Sequence, residues 1–572
     1  MLTILATPCI AAVTDSETGA MAARNPFYYD GDSREAIPMQ TIEATELKAR
    51  LKSSAELALV DVREETDFYT GHLLFAANLP LSRLEQLLDD LIPRRAAPIV
   101  VCDADGGLAE RAAQKLAWLG YSDVAILKGG NASWAGVGGQ LFAGVNVPSK
   151  GFGEYIEHAL GTPRITAEEL QAKIECNEDM VILDSRPWEE FRLMSLPGGQ
   201  DCPGAELAYR AREVAPDPKT LIVVNCAGRT RSIIGAQSLI NAGVPNPVVA
   251  LKDGTMGWQL AGYKVTEKND RCAVPISERT LHAAQAAAID VSNRAGVKLA
   301  DAAKLERFRA ERASRTLCVL DVRTPEEFAQ GHLPDAVHAF GGQLVQTTDK
   351  YIIVRGARIV LVDDTEVRAR MTASWLRQMG WEDVYVLAGG ITGGRDLVTG
   401  PRKARMLGVD LVSPATLSPA ALHAELAAGR AVVIDLADPR RFKSGHIAGA
   451  WYAVRSKLPD GLEKFDQSAV LAFTSSDGQF ARLAAADVTA TTGRTTVALA
   501  GGTAAWKAAG LPMESGGERV LHPRVESWSP YDPENRTREA MLDYLTWEVD
   551  LYDRVKLEEA VNFRTLAPKP VP

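Results

Sequence analysis

The chain has 572 residues, too many for one core, and at roughly 100–200 residues per domain it needs three to five domains. Its 46% hydrophobic and 24% charged residues are those of a soluble globular protein. The net charge of −10 argues against nucleic acid or an anionic membrane as the main partner, while leaving small anions that respond to a local field.

Residues 1–38 read as a poorly ordered N-terminal extension without the basic start of a secretory signal, and Met21 and Met39 are alternative starts. A unit then begins that recurs four times, over 39–145, 160–266, 295–400 and 412–516. Each opens with a strand ending in Asp: Asp61, Asp184, Asp321 and Asp435, at intervals of 123, 137 and 114 residues. Gly-His follows ten residues later in three copies (His72, His332, His446), with Ser195-Leu196-Pro197-Gly198-Gly199 in that region of the second. The histidines share no metal-ligand spacing and are expected to bond to backbone. A second apolar strand comes next, then a polar loop and an alanine-rich helix. A third strand ends in a glycine turn, followed in three copies by Trp134, Trp258 and Trp506. Short continuous apolar strands alternating with helices predict an α/β fold, each unit a mainly parallel sheet flanked by helices, with ligands at the carboxyl ends of strands. The junction from 144 to 164 reads as a packed connector. Helices are expected over 278–289 and 302–313, and a C-terminal helical tail occupies 517–572, its helix near 535–560. The tail carries Trp528, Tyr531, Tyr544, Trp547 and Tyr552, which require a surface to cover or a second copy to meet.

The richest loop lies in the second unit, where Val223-Val224-Asn225 runs into Cys226-Ala227-Gly228-Arg229-Thr230-Arg231-Ser232. A thiol at a strand end among backbone N–H groups and two guanidinium groups is expected to be held as thiolate, well below the free value of about 8.5. Gly228 lets the backbone curl, Thr230 and Ser232 offer hydroxyls, and Arg229 and Arg231 suit an anionic ligand. The bland alternative is a small buried hydrophobe beside a solvated helix start.

The ordered pattern of Asp-x-Arg, Glu-Glu-Phe, Gly-His-Leu-Pro and Gly-Gly-x-x-x-Trp, fullest in Asp321-Val322-Arg323-Thr324-Pro325-Glu326-Glu327-Phe328 and Gly331-His332-Leu333-Pro334, resembles the rhodanese domain, four in tandem. The resemblance implies that Cys226 attacks the outer sulfur of a donor such as thiosulfate, becomes a persulfide, and passes that sulfur to a thiol or cyanide. Ala227 to Ser232 would bind substrate. Asp184 and Arg186 would form a structural ion pair or, alternatively, line the pocket. In the third unit Asp363 stands at the nucleophile position, and the fourth, read from Phe473-Thr474, has no cysteine, so both are expected to be non-catalytic. Cys102 of the first unit is placed at the nucleophile position in an atypical loop holding Asp103 and Asp105, which should raise its pKa. It reads as structural or vestigial, with a second active thiol as the alternative. Cys202 reads as packing or, alternatively, a resolving thiol, and Trp258 as core or a wall of the cup.

Three functions follow: a sulfurtransferase, a non-enzymatic persulfide carrier or scaffold, or a phosphatase or arsenate reductase. Here the loop is Cys-x4-Arg from Cys226 to Arg231, shorter than the Cys-x5-Arg loops that encircle a tetrahedral oxyanion. Seven scattered cysteines with no CxxC pair suggest neither a disulfide framework nor zinc, and a reducing cytoplasm is expected. No cofactor is implied. Expected partners are a small anionic sulfur donor and a thiol acceptor, which could be a protein, and a homodimer is an option.

Overall fold

The computed structural model describes residues 39–566 apart from 106, 273, 393–395, 526–528 and 530–535. The N-terminal extension, Trp528 and Tyr531 lie outside the described residues. Each of the four repeats is a parallel sheet wrapped by helices, as the apolar runs predicted. In the second unit the strand order is Arg164–Ile165, Val248–Leu251, Leu221–Asn225, Met180–Asp184, Gln200–Asp201. Its central strand Leu221–Asn225 is covered on both faces, and its Val223 and Val224 are fully buried. The other three units repeat this order around Ile99–Cys102, Arg358–Val362 and Val470–Thr474. The first sheet gains an antiparallel edge from the third unit, where Val354–Arg355 pairs with Leu57 and Ala58. That pairing closes an open edge and merges the two cores.

Packing between the second and third units is reciprocal. Arg231 donates to Gln343 at 3.1 Å, and its counterpart Arg368 donates to Glu206 at 2.8 Å. A Cβ built on Gly204 would lie 3.1 Å from the Gly342 Cα, so these helix starts meet backbone to backbone.

Inside the first three units the Asp-x-Arg motif is a clamp, whereas the fourth has Ala437 in place of the arginine and Asp435 accepts that residue's N–H, at 2.9 Å. Arg186 Nε and Nη2 donate to the two carboxylate oxygens of Asp184 at 2.8 and 2.7 Å, and Nη2 also reaches the Met194 carbonyl at 2.6 Å. Arg63–Asp61 and Arg323–Asp321 do the same. The Gly-His histidines stack on Phe68, Phe328 and Phe442 at 3.7, 3.7 and 3.8 Å and bond to backbone carbonyls. Trp134, Trp258 and Trp506 bury their indoles and donate Nε1–H to the carbonyl six residues on.

The connector is a helix, Val147–Leu160, and the tail helix runs Arg538–Val555, ending where Lys556 caps it. The two junction helices are Glu278–Arg294 and Ala302–Ala310. The tail helix packs along the connector because Gly151 leaves room for it: a Cβ there would meet the Val555 Cγ1 at 2.6 Å. Two residues further on, on another face of the connector, Gly153 admits the Cys226 loop, where a Cβ would meet the Thr230 Cγ2 at 2.8 Å. Two segments outside the repeats are thereby brought onto the second unit. Among the described residues, no helix is long and apolar enough to cross a membrane.

Candidate active site

The backbone register defines which residue of each unit is equivalent to Cys226. Asn225 pairs with Asp184, so Cys226 is the first residue past the strand. Asp321 pairs with Val362, Asp61 with Cys102, and Asp435 with Thr474. The residues at the head of the loop are therefore Asp103, Cys226, Asp363 and Ser475. Each offers its carbonyl to the same turn: Asn131, Thr255, Ile391 and Thr503 donate their N–H groups at 2.8, 2.8, 3.0 and 2.9 Å. Cys102 and Thr474, read from sequence as the loop heads, instead end the strands. Cys102 is wholly buried in an apolar cluster with Leu59, Val100 and Trp134, and its thiol is pushed well up by burial and by Asp61.

These four loops are one cup with different contents. In the first unit the Asp103 carboxylate accepts N–H bonds from Leu108 and Ala109 at 2.8 and 2.9 Å. In the third, Asp363 accepts from Glu366, Arg368 and Ala369 at 2.7, 3.0 and 3.4 Å. Burial pushes Asp363 up to about 6, against the downward pull of Arg368 and of the helix-start amides. In the fourth, the Ser475 hydroxyl takes the Ala481 N–H at 3.4 Å. A ring of helix-start amides binds an anion in its centre, and in the first and third units the chain supplies that anion itself. In the second unit the centre is sulfur: the Cys226 Sγ lies 3.5 Å from the Ser232 Oγ and within reach of the Ser232 amide.

The charge around Cys226 differs from expectation. Arg229 does not aim a free positive charge at the thiol. Its Nε and Nη2 pair with Glu154 at 2.7 Å each, Nη2 also reaches Glu157, and Nη1 donates to Asp253 at 3.0 Å. Arg231 is paired with Glu190 at 2.8 Å, as Arg368 is with Glu327 in the third unit, whose loop has no cysteine. Burial therefore wins: it pushes the Cys226 thiol up, against the downward pull of Arg231 and the Ser232 hydroxyl and amide, and Glu548 adds to the upward push. The expectation of a thiolate poised below the free value is corrected, because Cys226 is only 2% exposed and both guanidinium groups are already neutralised. A thiol that must lose its proton to react should show single-turnover rates rising about tenfold per pH unit between pH 6 and 8. A flat profile over that range, measured by stopped flow, would contradict the neutral resting thiol.

Other sequence candidates fall into place. Thr230 donates to Glu548 at 2.5 Å, and Ser232 to the Arg229 carbonyl at 2.8 Å, so both shape the loop. Asp184 receives the Asn225 amide at 2.8 Å and braces the strand end from beneath, which gives Asp184 and Arg186 a supporting place rather than a substrate-binding one. Cys202 is wholly buried in the apolar cluster with Leu183 and Leu207, and Trp258 is core, not a wall of the cup. Sequence reasoning missed Lys150, Glu154 and Glu157 of the connector and Tyr544 and Glu548 of the tail helix, which close over the Cys226 loop. A Cβ on Gly228 would lie 3.3 Å from both the Glu548 Oε2 and the Tyr544 Cε1, so this glycine is what lets the tail helix sit down.

Four units of one sheet order, each with the Asp-led strand and the amide cup, define the class, and the chain belongs to the family of the rhodanese-like domain. The family model matches residues 43–136, 166–261, 302–396 and 418–509. The chain is similar to a crystal structure of a thiosulfate sulfurtransferase from Pseudomonas aeruginosa, at 45% identity and a TM-score of 0.89, covering 92% of this chain and 100% of that one. It is also 35% identical over 98 residues to the uncharacterized protein YqhL of Bacillus subtilis, covering 17% of this chain and 74% of that protein. A putative sulfur carrier protein of the same organism, YrkF, is 30% identical over 102 residues, 17% of this chain and 54% of its own length.

Proposed function

We propose that this protein is a sulfurtransferase with one working cup, in its second unit, and that Cys226 carries the sulfur. The observation that carries the reading is the content of the four equivalent cups: two hold an internal carboxylate, one a hydroxyl, and only the second a thiol. With thiosulfate, the Cys226 thiolate attacks the outer sulfur. The Sγ–S bond forms, the S–S bond of the donor breaks, and sulfite leaves with the electron pair. The persulfide anion then sits where Asp103 and Asp363 place their carboxylates, on helix-start amides that favour negative charge. An acceptor thiolate or cyanide attacks the terminal sulfur and regenerates the Cys226 thiolate, so no outside oxidant or reductant is consumed. The similarity to a thiosulfate sulfurtransferase over nearly the whole chain supports this reading.

Intact-mass measurement after incubation with thiosulfate, followed by desalting, tests it. The expected result is a gain of one sulfur atom, lost again on adding cyanide. No gain with thiosulfate or an organic persulfide would refute it. The carrier reading, favoured by the similarity to YrkF, differs in one result: sulfur loaded on the protein would leave to a partner protein but not turn over with cyanide.

A further inference from the structure

Both cations of the Cys226 loop, Arg229 and Arg231, are hydrogen-bonded to carboxylates, and a dianionic donor needs a cation that is not. The connector helix supplies one. Lys150 is buried, 4% exposed, and its charge acts on Cys226 and on Arg231. Its ammonium bonds to the Tyr544 hydroxyl, lies 4.4 Å from the Tyr544 ring centre and 5.1 Å from that of Trp547, and is 3.7 Å from the Glu548 Oε1. That last separation is an ion pair without a hydrogen bond. Glu548 is itself 1% exposed; its Oε1 accepts from Thr230, and its Oε2 has no hydrogen-bond partner and faces Gly228 of the cup. A buried carboxylate oxygen left unpaired is costly, and an ammonium with three N–H groups is under-used by one hydroxyl and a carboxylate 3.7 Å away.

Building on the sulfurtransferase reading, we propose that Lys150 is the anchor for the oxyanion end of the sulfur donor, and that Glu548 is a built-in competitor holding this place until the donor displaces it. In the first and third units a carboxylate of the loop itself fills the cup permanently. In the second the cup holds the Cys226 sulfur, and the carboxylate beside it, Glu548, stands on a separate helix, the tail helix, bonded to the Thr230 hydroxyl and to no amide of the loop. The donor's oxyanion takes the ammonium, its outer sulfur faces Cys226, and Tyr544 and Trp547 wall the site. The active site of the second unit is therefore completed by the connector and the C-terminal helix, neither of which belongs to a repeat.

The test uses the full chain carrying Cys226→Ser, which binds donor without turning it over, with thiosulfate titrated by calorimetry. Adding Lys150→Met should weaken thiosulfate binding at least ~10-fold, the size of one lost charge-assisted contact. Adding Glu548→Gln, which keeps the shape and removes the competing charge, should tighten it by about 3-fold or more. In the otherwise native chain Lys150→Met should raise KM for thiosulfate by a similar factor with kcat changed far less. Unchanged affinity in Lys150→Met, or weaker binding in Glu548→Gln, overturns the proposal; if Lys150→Met does not fold, the direction of the Glu548→Gln effect decides. The two readings fail separately. A wild-type chain that gains sulfur while Lys150→Met binds thiosulfate normally sinks only the anchor. Thiosulfate binding that depends on Lys150 in a chain that never gains sulfur sinks only the transfer chemistry.

Discussion

Cys226→Ser is expected to lower thiosulfate-to-cyanide sulfur transfer by at least ~10³-fold, while Cys102→Ser leaves it within about 2-fold. The contrast rests on register. Cys226 follows the residue paired with Asp184, and its sulfur enters the ring of amides; Cys102 is itself the residue paired with Asp61, and its side chain enters the core. A serine oxygen keeps the shape of the cup, as Ser475 does in the fourth unit, but it does not form the stable sulfur–sulfur bond on which the double displacement depends. The comparison also separates chemistry from folding, since Cys102→Ser places a hydroxyl in an apolar cluster and should cost stability rather than turnover. Steady-state assays on both variants, with circular dichroism melts, check both halves.

Deleting the chain from Arg538 onward is expected to destabilise the fold, through contacts with the connector and the first three units, by on the order of 5 kcal/mol and to expose Cys226. The tail helix buries Met541 and Leu545 against the second unit, and Leu551 and Val555 against the first unit and the connector. Beyond it, Phe563 packs on Phe152 of the connector with ring centres 5.1 Å apart, and the Arg564 N–H donates to the Gln378 carbonyl at 2.9 Å. Four buried aliphatic side chains at about 1.5–3 kcal/mol each set an upper figure, which the entropy of ordering the segment reduces. The deletion also leaves Lys150 without Glu548 and uncovers Gly228 and Ala227. Scanning calorimetry should show an early transition absent from the full chain, and iodoacetamide at pH 8 should alkylate Cys226 at least ~10-fold faster. A single transition at the original temperature with unchanged alkylation would mean that the tail is dispensable.

The repeats were legible because each unit must bury a parallel sheet on both faces, and apolar strands of that kind, punctuated by Asp and Gly-Gly, stand out along the chain. The Cys226 loop was legible for the same reason, as polar residues between two apolar elements. Two features were not. The position of Cys102 was read one residue off because its strand ends in a cysteine where the others end in Asn, Val and Thr. The count to the positive-φ glycine after the helix holds the true register, since Gly120, Gly243 and Gly380 lie 17 residues beyond Asp103, Cys226 and Asp363, but from sequence the 18 residues from Cys102 to Gly120 read as a loop one residue longer. The electrostatics of Cys226 were misread because Arg229 meets Glu154 and Glu157 from 75 and 72 residues away, and Glu548 approaches from 318 residues beyond Thr230. Such distant partners leave only faint local marks, here Gly151 and Gly153 inside a helix that otherwise has little use for glycine.

Mapping the transferred atom tests the central claim most directly. After brief exposure to thiosulfate labelled with a heavy isotope in its outer sulfur, the chain is digested without reductant and its peptides are weighed. The account predicts one labelled sulfur on the peptide carrying Cys226 and none on those carrying Cys102, Cys202 or Cys318. Label on any of those three, or label that persists in Cys226→Ser, would contradict it.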